Sequence, residues 1–333
     1  MSATAERGTP CTLQSRAVGE PMAGTAPIAR GWIVLEHAGP WGRYAVDESD
    51  LPEPVRAHLA GAKDRGITVL LARRPERRAS RPEPGGGLRA WVARCGSGGA
   101  RLRTGLLADS REVLAWDLDA IAEGSLPALD RADPDPLVLV CTNGRRDVCC
   151  AVHGRALLAG LAERASTEQW GRVWECSHVG GHRFAPTLVT LPDGMVHGRV
   201  SIEAGLDLLD RLADGRIAPD LLRGRSCLPS PLQAAEIAVR AVEGIDTVAD
   251  LDTLAVIDDR AVPVPCNWPV ADEPVLAEVR HLDGRAWTVT VGKAAGSSTP
   301  DGDLVARAES CGGTPKPVTS WLADSPVPAA PWH

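Results

Sequence analysis

Between positions 141 and 182 the side chains that bind soft metals include Cys141, Cys149, Cys150, Cys176, His178 and His182. Thiolate sulfur and imidazole nitrogen are the donors that zinc and iron–sulfur chemistry use, and thiols alone can also exchange disulfides. His178 and His182 stand four apart, the spacing that places two side chains on one face of a helix. The intervening Val179-Gly180-Gly181 argues against a helix, because each glycine costs about 1 kcal/mol there relative to alanine. Glycines instead let a loop fold closely round an object and aim backbone N–H groups at it, as thiolate and sulfide sulfurs require.

The flanking sequence supplies elements able to bring these residues together. Pro136 to Cys141 (PLVLVC) reads as a buried strand that ends on the first cysteine, and Asp147 to Ala165 as a helix opening at Cys149-Cys150. Gly171 to Cys176 is a second short strand, and His178 and His182 follow it. Thr187 to Leu191 and Met195 to Val200 form a hairpin across Pro192-Asp193-Gly194, and Ile202 to Leu212 is a helix. Strand, helix, strand, hairpin, helix is the order of a thioredoxin-like domain, in which loops after successive parallel strands meet at one sheet edge. The fold class expected is therefore α/β and α+β. A partly loose leader (1–25) and an N-terminal α+β region (26–135) precede a thioredoxin-like domain (136–220), and a C-terminal region of one helix and many strands (221–333) follows. Within the N-terminal region, Gly31 to Glu36 and Ile67 to Leu71 read as strands, Pro54 to Gly61 and Asp117 to Gly124 as short helices. Leu88 to Thr104 reads as a hairpin turning at Gly96-Ser97-Gly98-Gly99.

The strings CTNGRRDVCC (Cys141 to Cys150) and VWECSHVGGHRFAP (Val173 to Pro186) resemble the sucrase/ferredoxin-like family. So do PCTLQSRAVGEPMAGTAP (Pro10 to Pro27), the GPWG at Gly39 to Gly42 and the late ESCGG at Glu309 to Gly313, so the resemblance runs through nearly the whole chain. It implies a thioredoxin-like ferredoxin with one [2Fe–2S] cluster held by Cys141, Cys150, His178 and His182. The family pattern aligns its second cysteine with Cys150 rather than Cys149, and the two histidines take the places of a later cysteine pair. Cys149 and Cys176 stay open between packing and alternative ligation, and His153 and His197 are read as non-ligands. Arg145, Arg146 and Arg183 either donate to the cluster or rim a docking face. The "sucrase" of the family name finds no carboxylate pair here to support it.

Mixed ligation of this kind has a physical consequence. Two neutral imidazoles in place of two thiolates remove two negative charges and favour the reduced state. Rieske-type centres accordingly lie at about −150 to +300 mV, against about −400 mV for plant-type ferredoxins. The outer nitrogen of a metal-bound imidazole also carries a proton that the metal charge acidifies, so electron transfer would couple to proton transfer. The expected function is a soluble electron carrier serving a redox donor and an acceptor protein, rather than an enzyme with its own substrate. Three rivals use the same residues or fold. A Cys2His2 zinc site has legitimate donors, but Cys150 and His178 lie too far apart for a compact finger. A thiol oxidoreductase would want Cys-x-x-Cys at the helix start, where Cys149 and Cys150 are adjacent. An interaction protein would draw its anchors from the ten tryptophans, but Trp32, Trp91, Trp174 and Trp287 sit in strand-like runs and read as core.

Composition narrows the setting. The 333 residues carry a formal charge of −7, which gives nucleic acid no electrostatic hold, and Arg73-Arg74 and Arg77-Arg78 lie among acids as a solvated face. The longest early apolar run, Trp32 to Leu35, is too short for a signal segment or a membrane span. The chain is therefore expected in the cytoplasm, where nine unevenly spaced cysteines stay reduced and most pack as small hydrophobes.

Overall fold

The structure, a computed structural model, describes residues 8–75, 87–96, 99–132, 135–270, 272–295 and 306–331. Part of the leader (1–7), Arg77-Arg78 and the Ser97-Gly98 step of the hairpin turn lie outside the described residues.

The chain folds into helix α1 (Cys11–Ala17), strand β1 (Gly31–Glu36), α2 (Glu53–Ala60), β2 (Ile67–Arg73), the hairpin β3 (Leu88–Arg94) and β4 (Arg101–Leu107), α3 (Leu118–Glu123) and β5 (Arg131–Ala132). Then follow β6 (Leu137–Cys141), α4 (Val148–Arg164), α5 (Thr167–Gly171), β7 (Val173–Cys176), β8 (Leu188–Leu191), β9 (Met195–His197), α6 (Ile202–Ala213), β10 (Leu222–Arg225) and α7 (Ser230–Glu243). The rest is strand: β11 (Leu251–Ile257), β12 (Arg260–Val262), β13 (Val275–His281), β14 (Ala286–Ala295), β15 (Ala306–Ala308), β16 (Pro315–Pro317), β17 (Thr319–Ala323) and β18 (Val327–Pro328). Mixed helices and sheets with a strand-rich C-terminal region are the architecture that the sequence leads one to expect.

One ten-stranded sheet, in the order β10-β9-β8-β6-β7-β2-β1-β3-β4-β5, runs through the N-terminal and central stretches alike. Its part β9-β8-β6-β7 has β6 and β7 parallel, β8 antiparallel beside β6 and β9 antiparallel beside β8, which is the thioredoxin-like arrangement. Strand β6 is buried throughout because both its faces are covered, and its residues alternate between them. Val138 and Val140 meet Leu157, Leu161, Leu208 and Leu212 of α4 and α6. Leu137, Leu139 and Cys141 face the other way, into a core with Trp32, Trp91, Trp174 and Val189. Helix α4 lies close on the sheet because position 154 is glycine: a β-carbon there would collide with the carbonyl oxygen of Cys141.

The N-terminal and C-terminal ends correct the sequence reading. Residues 11–17 of the supposed loose leader form α1, with Cys11 and Ser15 fully buried and Glu20 nearly so. The reason is polar rather than apolar. Glu20 is clamped by Arg183 and Arg307, and Gln14 Oε1 accepts the backbone N–H of Ala308 at 2.8 Å. The first and last parts of the chain thus pack on each other, beside the loop that carries His182. Strand β9 also stops at His197 rather than Val200, since Arg199 adopts a positive φ of 55°.

Candidate metal centre

The site is built at the edge of the sheet where the parallel strands β6 and β7 end. Cys141 is the last residue of β6, and Cys150 lies in the first turn of α4. That turn is fixed by Asp147, whose side chain caps it by accepting the Cys149 N–H at 2.9 Å. Beyond β7, Gly180 and Gly181 have φ of 96° and 70°, so the chain bends in a conformation that L side chains disfavour. Just before this bend, His178 lies over the two sulfurs. Its Nδ1 lies 3.7 Å from Cys141 Sγ and 3.9 Å from Cys150 Sγ. The donor atoms of Cys141, Cys150 and His178 all lie within 4.8 Å of one another.

His182 stands beside this trio, not in it. Its ring lies 5.2 Å from that of His178, centroid to centroid. Both ring nitrogens are buried and make no hydrogen bond of ordinary geometry; the Glu309 backbone carbonyl lies nearby, and Asp147 Oδ2 is 3.8 Å from Nε2. Burial, opposed by Asp147, holds the His182 pKa below its ordinary value. A neutral imidazole with two unsatisfied nitrogens is costly to bury unless something binds it.

The two sulfurs share one proton unequally, Cys141 favoured as the thiolate and Cys150 as the thiol. The Cys141 pKa is pulled well below the usual thiol range by the Cys150 thiol, with further help from His178 and the Val179 backbone, although burial opposes this. Cys150 is correspondingly pushed up, since it donates to Cys141 and is itself buried. Both cysteines are fully buried, while the two histidines are partly exposed. Beneath the loop lies Arg223, a buried guanidinium that donates to Gly180 O at 2.9 Å and to the Thr25 backbone carbonyl. Burial and the nearby Arg183 lower its pKa to about 9, against the opposing pull of Cys141.

The two residues left open by the sequence now have places. Cys176 is fully buried in the core that also holds Cys141 and Val179, and its thiol pKa is raised by that burial. Cys149 points away from Cys150, into a second group with Cys11, Cys311 and Asp147. Cys149 is held down to about 5 by hydrogen bonds from Cys11 and Thr12, whereas Cys11 is driven up. His153 reaches this second group only through Thr12, at 3.3 Å, and His197 is buried in β9, in neither group. Arg183 is engaged with Glu20, Arg146 lies over the Tyr44 ring, and Arg145 is exposed. Sequence reasoning missed Arg223, Asp147, Cys11 and Cys311. The last two sit in the PCTLQS and ESCGG segments already singled out, so their cysteines could have been asked what they face.

The model of the sucrase/ferredoxin-like family matches residues 22–224, which include Cys141, Cys150, His178 and His182. This chain belongs to the sucrase/ferredoxin-like family. It is also 31% identical over 111 residues to the "Altered inheritance of mitochondria protein 32" of Meyerozyma guilliermondii, a match covering 31% of this chain and 39% of that protein. The chain thus spans well under half the length of this curated relative. No solved structure matches it. Membership of a ferredoxin-like family goes with Cys/His groups whose donors could hold a metal or a cluster, and among the described residues no helix is long and apolar enough to cross a membrane.

Proposed function

We propose that this chain is an electron-transfer protein holding one [2Fe–2S] cluster on Cys141, Cys150, His178 and His182. The observation that carries the reading is the way its donors are spread. Two buried thiols and one imidazole converge, and a second imidazole lies alongside with both nitrogens buried and neither in a hydrogen bond of ordinary geometry. A single zinc ion gathers four donors round one point and would leave His182 out; two metals divide the donors between them. When bound, the cluster would supply a one-electron acceptor whose potential is raised by neutral ligands.

The protein's own residues would set how that acceptor is used. Cys141 and Cys150 keep one end of the site out of water. His178 and His182 form the partly exposed end, so a donor or acceptor protein would approach there, and a proton could be exchanged with water at His178 Nε2. Arg223 pins the histidine loop and places positive charge near the thiolates, which favours the reduced state. The rival dithiol reading loses its basis, because the Cys149 and Cys150 sulfurs belong to different groups. Reduced thiols in this number suit a reducing compartment, which we take to be the cytoplasm; the name of the yeast relative, by contrast, refers to mitochondria.

The test is composition. Protein purified without oxygen should carry about two irons and two acid-labile sulfides per chain, and be brown. Zinc held through Cys141 and Cys150, without sulfide, would sink the reading.

A further inference from the structure

We propose that Cys11, Cys149, Cys311 and Asp147 form a second, mononuclear site that takes a thiophilic divalent cation of the zinc class. The four residues come from α1, the start of α4 and a loop near the C-terminus, and their donor atoms all lie within 4.8 Å of one another. The sulfurs stand at 3.6 Å (Cys11 to Cys149), 3.2 Å (Cys149 to Cys311) and 3.6 Å (Cys311 to Cys11), and Cys11 Sγ is 3.8 Å from Asp147 Oδ1. A tetrahedral zinc with Zn–S bonds of about 2.3 Å sets its sulfurs about 3.8 Å apart, and a carboxylate oxygen about 3.6 Å from each. To accept the ion, two edges of the observed triangle open by about 0.2 Å and the Cys149–Cys311 edge by about 0.6 Å.

This geometry discriminates among the things three thiols can do. A disulfide would consume two of them and leave the third thiol and a buried carboxylate facing it. An iron–sulfur cluster would need its thiolates spread over more than one iron, whereas these three share an edge length suited to one ion. Three thiolates select for zinc over magnesium or calcium. Four protein donors leave no open position, and Cys11, Cys149 and Asp147 are all nearly inaccessible, so the site is of the closed, structural kind.

The surroundings orient the donors. Asp147 accepts the backbone N–H groups of Cys149 at 2.9 Å and Cys311 at 2.8 Å, one on each oxygen, which fixes the carboxylate between the two cysteines it would join. Thr12 Oγ1 sits 3.4 Å from Cys149 Sγ and is backed by His153 Nε2 at 3.3 Å. Adjacent cysteines at the start of α4 thereby serve separate groups, Cys149 this one and Cys150 the cluster. Cys11 and Cys311 are 300 residues apart and lie outside the matched family stretch, so the site would clasp the two ends of the chain over the cluster loop. Binding is a simple displacement: the cation replaces up to three thiol protons, which pass to the buffer, and no electron moves.

Zinc, iron and sulfide are counted together in full-length protein expressed with ample zinc and iron, alongside X-ray absorption at the zinc edge. The wild type should hold one zinc per chain with three sulfur neighbours and one oxygen. Cys11→Ser and Cys311→Ser should each lower zinc content at least about tenfold while iron and sulfide stay unchanged; Cys95→Ser should lower neither. Because zinc and iron are read separately, loss of one reading does not carry the other with it. If the serine variants do not fold, the zinc edge of the wild type decides alone: two sulfurs and two imidazoles would move the ion to the other site and overturn the proposal. Wild type without zinc, with free thiols or with a Cys149–Cys311 disulfide by mass spectrometry, would overturn it equally.

Discussion

At the scale of single residues, the proposed cluster rests on a division of labour among cysteines with similar burial. Cys141, Cys150 and Cys176 are all fully buried, but only the first two share a group with His178. Cys141→Ser and Cys150→Ser should therefore abolish the iron–sulfur absorption, because an alcohol is a far poorer ligand than a thiolate. Cys176→Ser should keep the cluster and lose about 1–3 kcal/mol of stability, the usual result of burying an unpaired hydroxyl. Equal loss of colour in all three variants would show that the absorption reports folding, not ligation. His178→Cys, where a cluster survives, should lower the potential by on the order of 100 mV, since it adds one negative charge to a site otherwise shared with neutral imidazole; voltammetry reads this directly. How much of this was legible beforehand depended on spacing. The two histidines and Cys141 announce themselves at strand ends, and the choice of Cys150 over Cys149 follows from the family pattern. The partnership of Cys149 with Cys11 and Cys311 could not be read, because contacts across 138 and 162 residues leave no local trace.

At the scale of elements, the sequence is legible wherever periodicity or a turn residue dictates the backbone. PLVLVC must be a strand buried on both faces, and Pro192-Asp193-Gly194 must turn. It is illegible for α1, whose seven residues carry no strong apolar stripe; its own Gln14 accepts the Ala308 N–H, and just beyond the helix Glu20 pairs with Arg307. The histidine loop lies between these cases: two glycines mark it as special, but not what they make room for. Gly181 combines a φ of 70° with the Arg223 guanidinium lying where a β-carbon would go. Gly181→Ala should thus cost about 1–3 kcal/mol through backbone strain and overpacking together, and should push His182 out of place, so that cluster content falls. Gly171→Ala is the control, because its β-carbon would meet nothing within 4 Å and its φ is not left-handed. Urea unfolding and iron content, measured on both variants, separate the loop's geometry from a generic intolerance of alanine. Matching losses at the two positions would remove the special role given to Arg223.

At the scale of the whole molecule, the question is what joins the ten-stranded sheet to the strand-rich C-terminal region, and Glu236 of α7 is the residue on which the two converge. Its Oε1 accepts from Arg225 of β10 at 3.1 Å and from Arg240 of its own helix at 3.0 Å, and its Oε2 accepts from Thr253 of β11 at 3.3 Å. All four residues are buried. Burial alone would raise the Glu236 pKa, but Arg225 and Arg240 outweigh it and hold the carboxyl below its ordinary value. Burial pushes Arg240 itself down, whereas Glu236 holds Arg225 up, and the Arg225–Glu236 pair crosses from β10 to α7. Glu236→Gln removes the negative charge and leaves two buried guanidinium groups facing each other, which should cost about 3–5 kcal/mol at neutral pH. The sign of the pH dependence follows from linkage. A carboxyl whose folded pKa is depressed contributes its stability in full above the unfolded value of about 4.3, and loses it as pH falls through the folded value. The gap in unfolding free energy between wild type and Glu236→Gln should therefore be flat from about pH 7 to 5 and close only below about pH 4. Urea titrations across that range decide it. A gap that narrows already between pH 7 and 5 would mean that Glu236 is not held as a low-pKa anion, and that apolar packing of α7 on β11, β13 and β14 joins the two parts instead.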